Sequence, residues 1–107
     1  MKTLAKIILP AAVALALASA GVRAADPQDA MVKAGCTACH NKEQKIVGPS
    51  YKQIAEKYKG QDVTAKLLEK VRKGGSGVYG PVPMTPNPPS KISDAELKAA
   101  VEFILKR

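Results

Sequence analysis

Residues 35 to 40 of this 107-residue chain read GCTACH. Cys36 and Cys39 lie three positions apart, and His40 follows the second cysteine directly. The sequence contains no other cysteine and no other histidine. All of its thiols and its single imidazole are therefore concentrated in five consecutive positions, which indicates one chemical site rather than separate structural roles.

An export signal is predicted over residues 1–24. Lys2 and Lys6 lie within the first six residues, and an uncharged run rich in Ala and Leu follows. Val22-Arg23-Ala24 then has the small-x-small pattern of a cleavage site. The apolar run is shorter than the roughly 20 residues that a membrane span needs, and Pro10 interrupts it, so an uncleaved anchor is disfavoured. Cleavage is predicted after Ala24, with Ala20 as the alternative, which leaves residues 25–107 as a single domain without a membrane span.

The predicted mature domain is small and basic. The full chain has a net charge of +8, and the 83 residues left after cleavage hold 14 basic and 9 acidic side chains, a net charge of +5. The lysines are scattered and aromatic residues are few, which is not the basic stripe of a nucleic-acid-binding protein. The charge fits either a solvated surface or docking to an acidic protein partner.

The mature sequence predicts an all-α fold of four helices, because no alternating apolar pattern suggests a sheet. Asp26 is a good N-cap and Pro27 suits the first turn of a helix over about residues 27 to 34. Gly48-Pro49 opens a second helix, and Gly60 ends it.

The third and fourth helices carry clearer signals. Asp62 is predicted to cap the third helix, and Gly74 stops it. Ser93 and Glu96 are spaced as a capping box at the start of the last helix. The buried stripe of that last helix is predicted to be Leu97, Ala100, Val101, Ile104 and Leu105.

A long loop separates these two helices. Residues 74 to 90 read GGSGVYGPVPMTPNPPS and contain four of the eight glycines and five of the eight prolines. No helix persists through that composition, and the prolines restrict the backbone. A loop of this length in a small domain is usually functional or disordered, and we expect this one to be rigid and functional.

The CTACH stretch can be interpreted in four ways. A disulfide closing so short a loop removes little chain entropy. A thioredoxin-like redox pair belongs beside a βαβ unit, and a structural zinc ion needs four ligands where only three Cys or His side chains exist. The fourth interpretation, covalent haem attachment, has both thiols bonded to the porphyrin and the following histidine as the proximal iron ligand. The export signal and the use of every cysteine and histidine in one motif favour haem.

One histidine leaves the second axial position of the iron to another residue type. Methionine is the next common ligand. Met1 leaves with the signal, and Met31 lies on the helix just before Cys36, where a packing role is expected. Met84, in the Gly/Pro-rich loop, is the predicted second ligand.

With these features in place, the chain resembles the short bacterial class I cytochromes c. The similarity covers essentially all of residues 25–107 and depends on GCTACH, on VGPSY at 47 to 51 and on GGSGVYGPVPM at 74 to 84. It implies a small cytochrome c fold of four to five short helices wrapped around one haem c attached through Cys36 and Cys39, with the Gly/Pro-rich loop carrying the axial Met.

The resemblance also implies supporting residues. Pro49 matches the proline whose carbonyl accepts the N–H of the proximal histidine, and Asn87 matches the asparagine that hydrogen-bonds the region of the methionine ligand. Tyr79 and Lys70 match the positions that contact a haem propionate. The family commonly has Trp where Tyr79 and Phe103 stand, and the segment before the last helix is about two residues longer here.

The function implied is that of a soluble periplasmic electron carrier, not an enzyme. Single electrons would pass between respiratory or denitrification-type redox partners that dock transiently, and a monomer is the default expectation. Two other functions stay open: a haem peroxidase or similar enzyme, and a sensor that binds NO or CO. Both require an iron position that Met84 has left or never occupied.

Overall fold

The computed structural model describes residues 26–106; the predicted signal over residues 1–24 lies outside them. This part of the chain forms four short α-helices and one 3₁₀ helix, which confirms the predicted all-α class. The helices are α1 (Pro27–Lys33), the 3₁₀ helix (Cys36–Ala38), α2 (Tyr51–Lys57), α3 (Thr64–Lys73) and α4 (Asp94–Leu105).

The first helix begins as the sequence predicts. The Asp26 side chain accepts a hydrogen bond of 2.9 Å from the backbone N–H of Gln28, and Pro27 occupies the first turn. The helix ends at Lys33, one residue before the predicted limit, and Gly35 then adopts a left-handed conformation with φ of 82°. This turn leads directly into the 3₁₀ helix, which the sequence analysis did not predict.

The starts of α2 and α3 differ from the predictions. Ser50, rather than Gly48-Pro49, caps α2: its hydroxyl accepts from Gln53 N at 3.0 Å, and the Gln53 side chain accepts from Ser50 N at 2.9 Å. The assignment of Asp62 as the cap of α3 was wrong, since Val63 holds the N-cap position and no side chain caps the helix. Asp62 lies one residue before the N-cap position, which is too early for its carboxylate to serve as the cap.

The last helix is the centre of the packing. Its predicted capping box is confirmed, with Glu96 N donating to Ser93 Oγ at 3.1 Å and Ser93 N donating to Glu96 Oε1 at 3.0 Å. Helix α4 packs against α1, α2 and α3. The buried cluster consists of Ala30, Met31, Ala34, Tyr51, Ile92, Leu97, Ala100 and Val101.

Regular β-structure is absent from residues 26–106. Two isolated antiparallel bridges occur there, His40 with Lys45 and Gly75 with Met84. Over the same residues, no helix has both the length and the apolar character needed to cross a bilayer. The bridge at Met84 matters for the site, because it fixes the loop that follows α3.

Candidate haem site

One apolar cavity of about 320 Å³ lies among the helices. That volume falls within the range of small-molecule and cofactor sites, about 300–1,000 Å³. Its walls come from α1, the 3₁₀ helix, α2, α3, α4 and the Gly/Pro-rich loop. The predicted site residues all line it: Cys36, Cys39, His40, Pro49, Lys70, Tyr79, Met84 and Asn87.

The two cysteines are presented by the 3₁₀ helix. Its backbone bonds run from Cys39 N to Cys36 O at 3.1 Å and from His40 N to the same oxygen at 2.9 Å. The Cys36 side chain is partly buried, and this burial raises the pKa of its thiol above the ordinary value. Both thiols are free, and within residues 26–106 no three His, Cys, Asp or Glu side chains are grouped to hold a metal ion, so the zinc interpretation gains no support.

His40 is fixed in one orientation by the backbone that follows it. Its Nδ1 lies 2.7 Å from the carbonyl oxygen of Pro49. Since a carbonyl can only accept, Nδ1 carries the proton, and the lone pair of the neutral ring is left on Nε2. The predicted contact with Pro49 is therefore present in the geometry.

The absence of a side chain at Gly48 allows the backbone to approach the His40 ring this closely. Its N–H donates to Cys39 O at 2.7 Å. A Cβ at this position would lie 2.8 Å from His40 Cε1 and 3.1 Å from Nδ1. The rings of Tyr51 and His40 are stacked, with centroids 6.2 Å apart and planes inclined by 24°, so the imidazole lies beside both Tyr51 of α2 and the 48–49 backbone.

Met84 is held to the end of α3 by a pair of backbone bonds. Gly75 N donates to Met84 O and Met84 N donates to Gly75 O, both at 2.9 Å. The approach is close enough that a Cβ on Gly74 would collide with Met84 O, and Gly74 also has a positive φ of 69°. The loop between residues 75 and 84 is therefore closed at its base, and Met84 stands at the closing position.

Asn87 anchors the chain just after Met84. Its side-chain nitrogen donates to Thr85 O at 3.0 Å and to Val71 O at 3.2 Å, and its backbone N–H points to the carbonyls of Val71 and Arg72, both at 3.2 Å. The residue is buried. Asn87 thus joins the segment around Met84 to the last turn of α3, as expected for a residue that supports the methionine region.

Tyr79, in the loop, and Lys70, on α3, both line the cavity. Burial, followed by the nearby hydroxyl of Tyr58, raises the pKa of Tyr79 to about 12. The ammonium of Lys57 lies 5.7 Å from the centroid of the Tyr79 ring and 5.9 Å from that of Tyr58, within reach of a cation–π contact.

Sequence reasoning did not find Lys57, Tyr58 or Arg72 as parts of this region. Lys57 and Arg72 act across elements: Lys57 lies on α2 and reaches the loop, and Arg72 lies on α3 and contacts the segment before α4. No local pattern marks such contacts, because they depend on how the helices pack. Met31 is 3 % exposed in the core, which agrees with the packing role expected of it.

The residues fit a covalently bound haem. Two free thiols at the spacing of the attachment motif, an imidazole with an available nitrogen and a thioether all line one mainly apolar cavity. This donor set of thiol, imidazole and thioether is the one that haem c uses.

Comparison with known proteins agrees with this geometry. The family model described as cytochrome c matches residues 24–107. The chain is 52 % identical over 83 residues to the cytochrome c2 of Rubrivivax gelatinosus, an alignment that covers 77 % of this chain and 98 % of that protein. It is 46 % identical over 101 residues to the cytochrome c-552 of Hydrogenobacter thermophilus, covering 94 % and 95 % of the two chains.

Solved structures show the same relationship. The crystal structure of wild-type Nitrosomonas europaea cytochrome c552 superposes with a TM-score of 0.66 at 44 % identity, covering 73 % of this chain and 95 % of the other. The predictions of one haem c bonded to Cys36 and Cys39, and of an electron carrier rather than an enzyme, are confirmed by these relatives. The chain belongs to the cytochrome c family, among its small class I bacterial members.

Proposed function

We propose that this cytochrome is an exported, single-haem carrier whose iron is ligated by His40 and Met84 and which shuttles electrons between periplasmic redox partners. The single observation that carries the proposal is that both residues line the same cavity as the two attachment cysteines. The haem supplies the one-electron redox chemistry, and the protein controls its potential and its access to solvent and partners.

The histidine side of the ligand pair is supported by the ring orientation. The bond of 2.7 Å from Nδ1–H to Pro49 O leaves Nε2 available to the iron and fixes the orientation of the ring. Gly48 and Tyr51 restrict rotation of the imidazole. His40 therefore enters the site as a pre-oriented ligand.

The methionine side is supported by the closed loop. Met84 is paired with Gly75 in front of it, and Asn87 holds the carbonyl of Thr85 behind it. This arrangement favours a stable bond between the thioether and the iron, which raises the potential and protects the iron from added ligands. Closure of the iron suits electron transfer, since no position is left for a substrate.

Tyr79 and Lys70 are proposed to contact the haem propionates. The phenol of Tyr79 is protonated at physiological pH, and burial moves its pKa further above that range, so it can donate a hydrogen bond to a carboxylate. Lys70 lines the same cavity and carries the complementary positive charge. These two residues would take the supporting role that the family resemblance assigns to their positions.

The cellular setting is proposed from the sequence and from the relatives. The signal predicted over residues 1–24 directs export, and the resemblance to the small class I cytochromes implies the periplasm. The basic mature domain would dock transiently, as a monomer, on acidic surfaces of a donor and an acceptor, with respiratory or denitrification-type proteins as the proposed partners.

The proposed electron carrier differs from the peroxidase and gas-sensor alternatives in one measurable property, the occupancy of the second axial position of the iron. The test is a redox titration of the purified holoprotein, with absorption and NMR spectra of both oxidation states. A weak far-red band from a methionine–iron(III) bond, an upfield-shifted methionine methyl in the reduced protein and a positive potential are expected. Absence of these signals together with immediate binding of added CO would overturn the proposal and favour an open-iron function.

A further inference from the structure

Arg72 makes a set of contacts that the haem site as described does not use. From the last turn of α3, its guanidinium donates to Asn87 O at 3.0 Å, to Ile92 O at 2.7 Å and to Asp94 Oδ1 at 2.6 Å. The three acceptors lie 15, 20 and 22 residues away along the chain. One side chain thus joins α3, both ends of the 87–92 segment and the start of α4.

The chemistry of these contacts requires arginine. Two backbone carbonyls and a carboxylate converge on one planar group, and the guanidinium offers five N–H donors in a fixed fork. The Arg72 side chain is 19 % exposed, whereas that of Asp94 is 94 % exposed. An ion pair with so exposed a carboxylate is screened and weak, so the two carbonyl bonds are the important part of the cluster.

The segment that Arg72 holds is the one that leads away from Met84. Asn87 is held by two sets of hydrogen bonds. Its carbonyl accepts from Arg72, while its N–H and side-chain amide donate to carbonyls of α3 and of Thr85. After it, Lys91 N and Ile92 N turn back to Pro88 O at 2.9 and 3.4 Å. This turn lies between the two carbonyls that Arg72 holds, those of Asn87 and Ile92.

We propose that Arg72 is a positioning residue that keeps Met84 on the iron by clamping the 87–92 segment to α3. The proposal rests on the ligation of Met84 proposed above. Without the clamp, the chain behind Met84 keeps the bonds of Asn87 and the burial of Ile92 but loses two carbonyl bonds to α3, so the loop opens more often and exposes the iron to competing ligands. Arg72 acts through the backbone and touches neither the haem-attachment cysteines nor Met84 itself in this mechanism.

The test compares Arg72→Gln with Lys73→Gln in the holoprotein. Both variants lose one positive charge from the same turn of α3, but Lys73 forms an ion pair with Glu69 on the same helix, and both of those side chains are exposed. The measured quantity is the rate at which imidazole replaces methionine on the oxidised iron, followed by loss of the far-red band. We expect Arg72→Gln to react about tenfold faster or more, since hydrogen bonds to a charged group are lost, and Lys73→Gln to react at the wild-type rate.

Two further variants separate the parts of the clamp. Asp94→Asn keeps both carbonyl bonds and is expected to react close to the wild-type rate. Arg72→Lys keeps the charge but not the fork, is expected to show an intermediate rate, and serves as the main test if Arg72→Gln does not yield folded holoprotein. Amide hydrogen exchange at Asn87 gives a second readout, and it is expected to accelerate in parallel with imidazole binding.

A lower melting temperature of the Arg72 variants with wild-type imidazole rates and wild-type exchange at Asn87 would overturn the proposal, because Arg72 would then be only a general stabiliser. The wild-type protein provides the separate check on ligation. If it has no far-red band and binds imidazole at once, the assignment of Met84 as ligand fails and the clamp fails with it. If the wild type shows the band while the variants behave like it, only the role of Arg72 is overturned.

Discussion

Met84 is the side chain whose removal tests the proposed ligand pair most directly. Alanine has no donor atom, so Met84→Ala is expected to leave the second axial position open. The oxidised iron should become high-spin or bind added ligands readily, and the potential should fall, since Met/His ligation raises it. Absorption and electron paramagnetic resonance spectra with a redox titration measure these changes.

Met31→Leu is the matched control for that substitution. Met31 is 3 % exposed in the core, and leucine conserves its volume at a cost of less than about 1.5 kcal/mol. The far-red band and the potential should therefore stay close to wild type. A Met84→Ala protein with an unchanged six-coordinate spectrum would instead show that another residue is the ligand.

Gly48 provides a second test, of the histidine side. A methyl group there would lie 2.8 Å from His40 Cε1, so Gly48→Ala should push the ring away from its bond to Pro49. Overpacking of this kind typically costs about 1–3 kcal/mol. We expect a less stable holoprotein with altered NMR shifts of the axial histidine, measured by denaturant unfolding and by NMR of the oxidised protein.

Gly60→Ala separates steric displacement from backbone strain. A Cβ at Gly60 meets nothing within 4 Å, but the residue has a positive φ of 75°. This variant should lose stability without a change in the histidine shifts. Wild-type histidine shifts in Gly48→Ala would contradict the argument that the missing Cβ allows the ring to reach Pro49.

The site residues that could be found from the sequence belong to a local motif, whereas those that could not be found make contacts with distant parts of the chain. Cys36, Cys39 and His40 form one short motif, because attachment and ligation require fixed local spacing. Arg72 and Lys57 act on partners in other elements, at separations that only the packed fold defines. A basic residue in the sequence usually indicates a solvated surface position, so nothing local distinguishes Arg72 and Lys57 from the other basic residues.

At the scale of the helices, the capping box of α4 makes stability depend on pH. Hydrogen bonds from Ser93 hold the pKa of the Glu96 carboxyl below its ordinary value of 4.5. A pKa lowered on folding contributes stability that is fully present above the unfolded value and is lost as the pH falls through the folded one. Wild type should therefore be more stable than Glu96→Gln above about pH 4.5, with the difference shrinking at lower pH.

Thermal melts of the two proteins at a series of pH values measure this difference. Glutamine keeps a side-chain oxygen for the bond from Ser93 N, so the comparison isolates the charge. Effects of pH on the haem ligands are common to both proteins and cancel. A difference in melting temperature that stays constant down to about pH 3 would contradict the assignment of the pH dependence to Glu96.

Helix boundaries were predictable where a cap and a buried stripe agree. For α4, Ser93 and Glu96 mark the start, and Leu97 and Val101 are buried as the periodicity predicts. For α3, the predicted cap and the observed start differ. Asp62 was predicted as the cap, but Val63 occupies the N-cap position and no side chain caps the helix.

At the scale of the whole molecule, the core and the haem cavity are the same structure. Of the eight residues in the buried cluster, all except Ala30 also line the cavity. Helix α4 contributes Leu97, Ala100 and Val101 to both. The all-α class and the position of the site were predictable together for this reason, since short amphipathic helices in so small a domain need a cofactor to complete their apolar interior.

The chain without haem is therefore expected to be largely unfolded. A Cys36→Ala/Cys39→Ala protein cannot form the thioether bonds, and in the absence of haem the seven shared core residues would face an open cavity. The free energy from their remaining contacts should not offset the conformational entropy of ordering the domain, about 1–2 kcal/mol per residue for the backbone. Circular dichroism should show little helix, and a thermal scan should show no cooperative transition.

Adding haem to this variant distinguishes loss of the cofactor from damage by the substitutions. His40 and Met84 are intact, so non-covalent haem should restore much of the helical signal and a cooperative melt, with a stabilisation that grows with haem concentration as binding to the folded state requires. A cooperative melt of the haem-free variant would contradict the prediction, because the helices would then have a core of their own. Recovery with non-covalent haem would instead show that the porphyrin provides the missing packing. The two thioethers would then serve to retain the haem in its cavity.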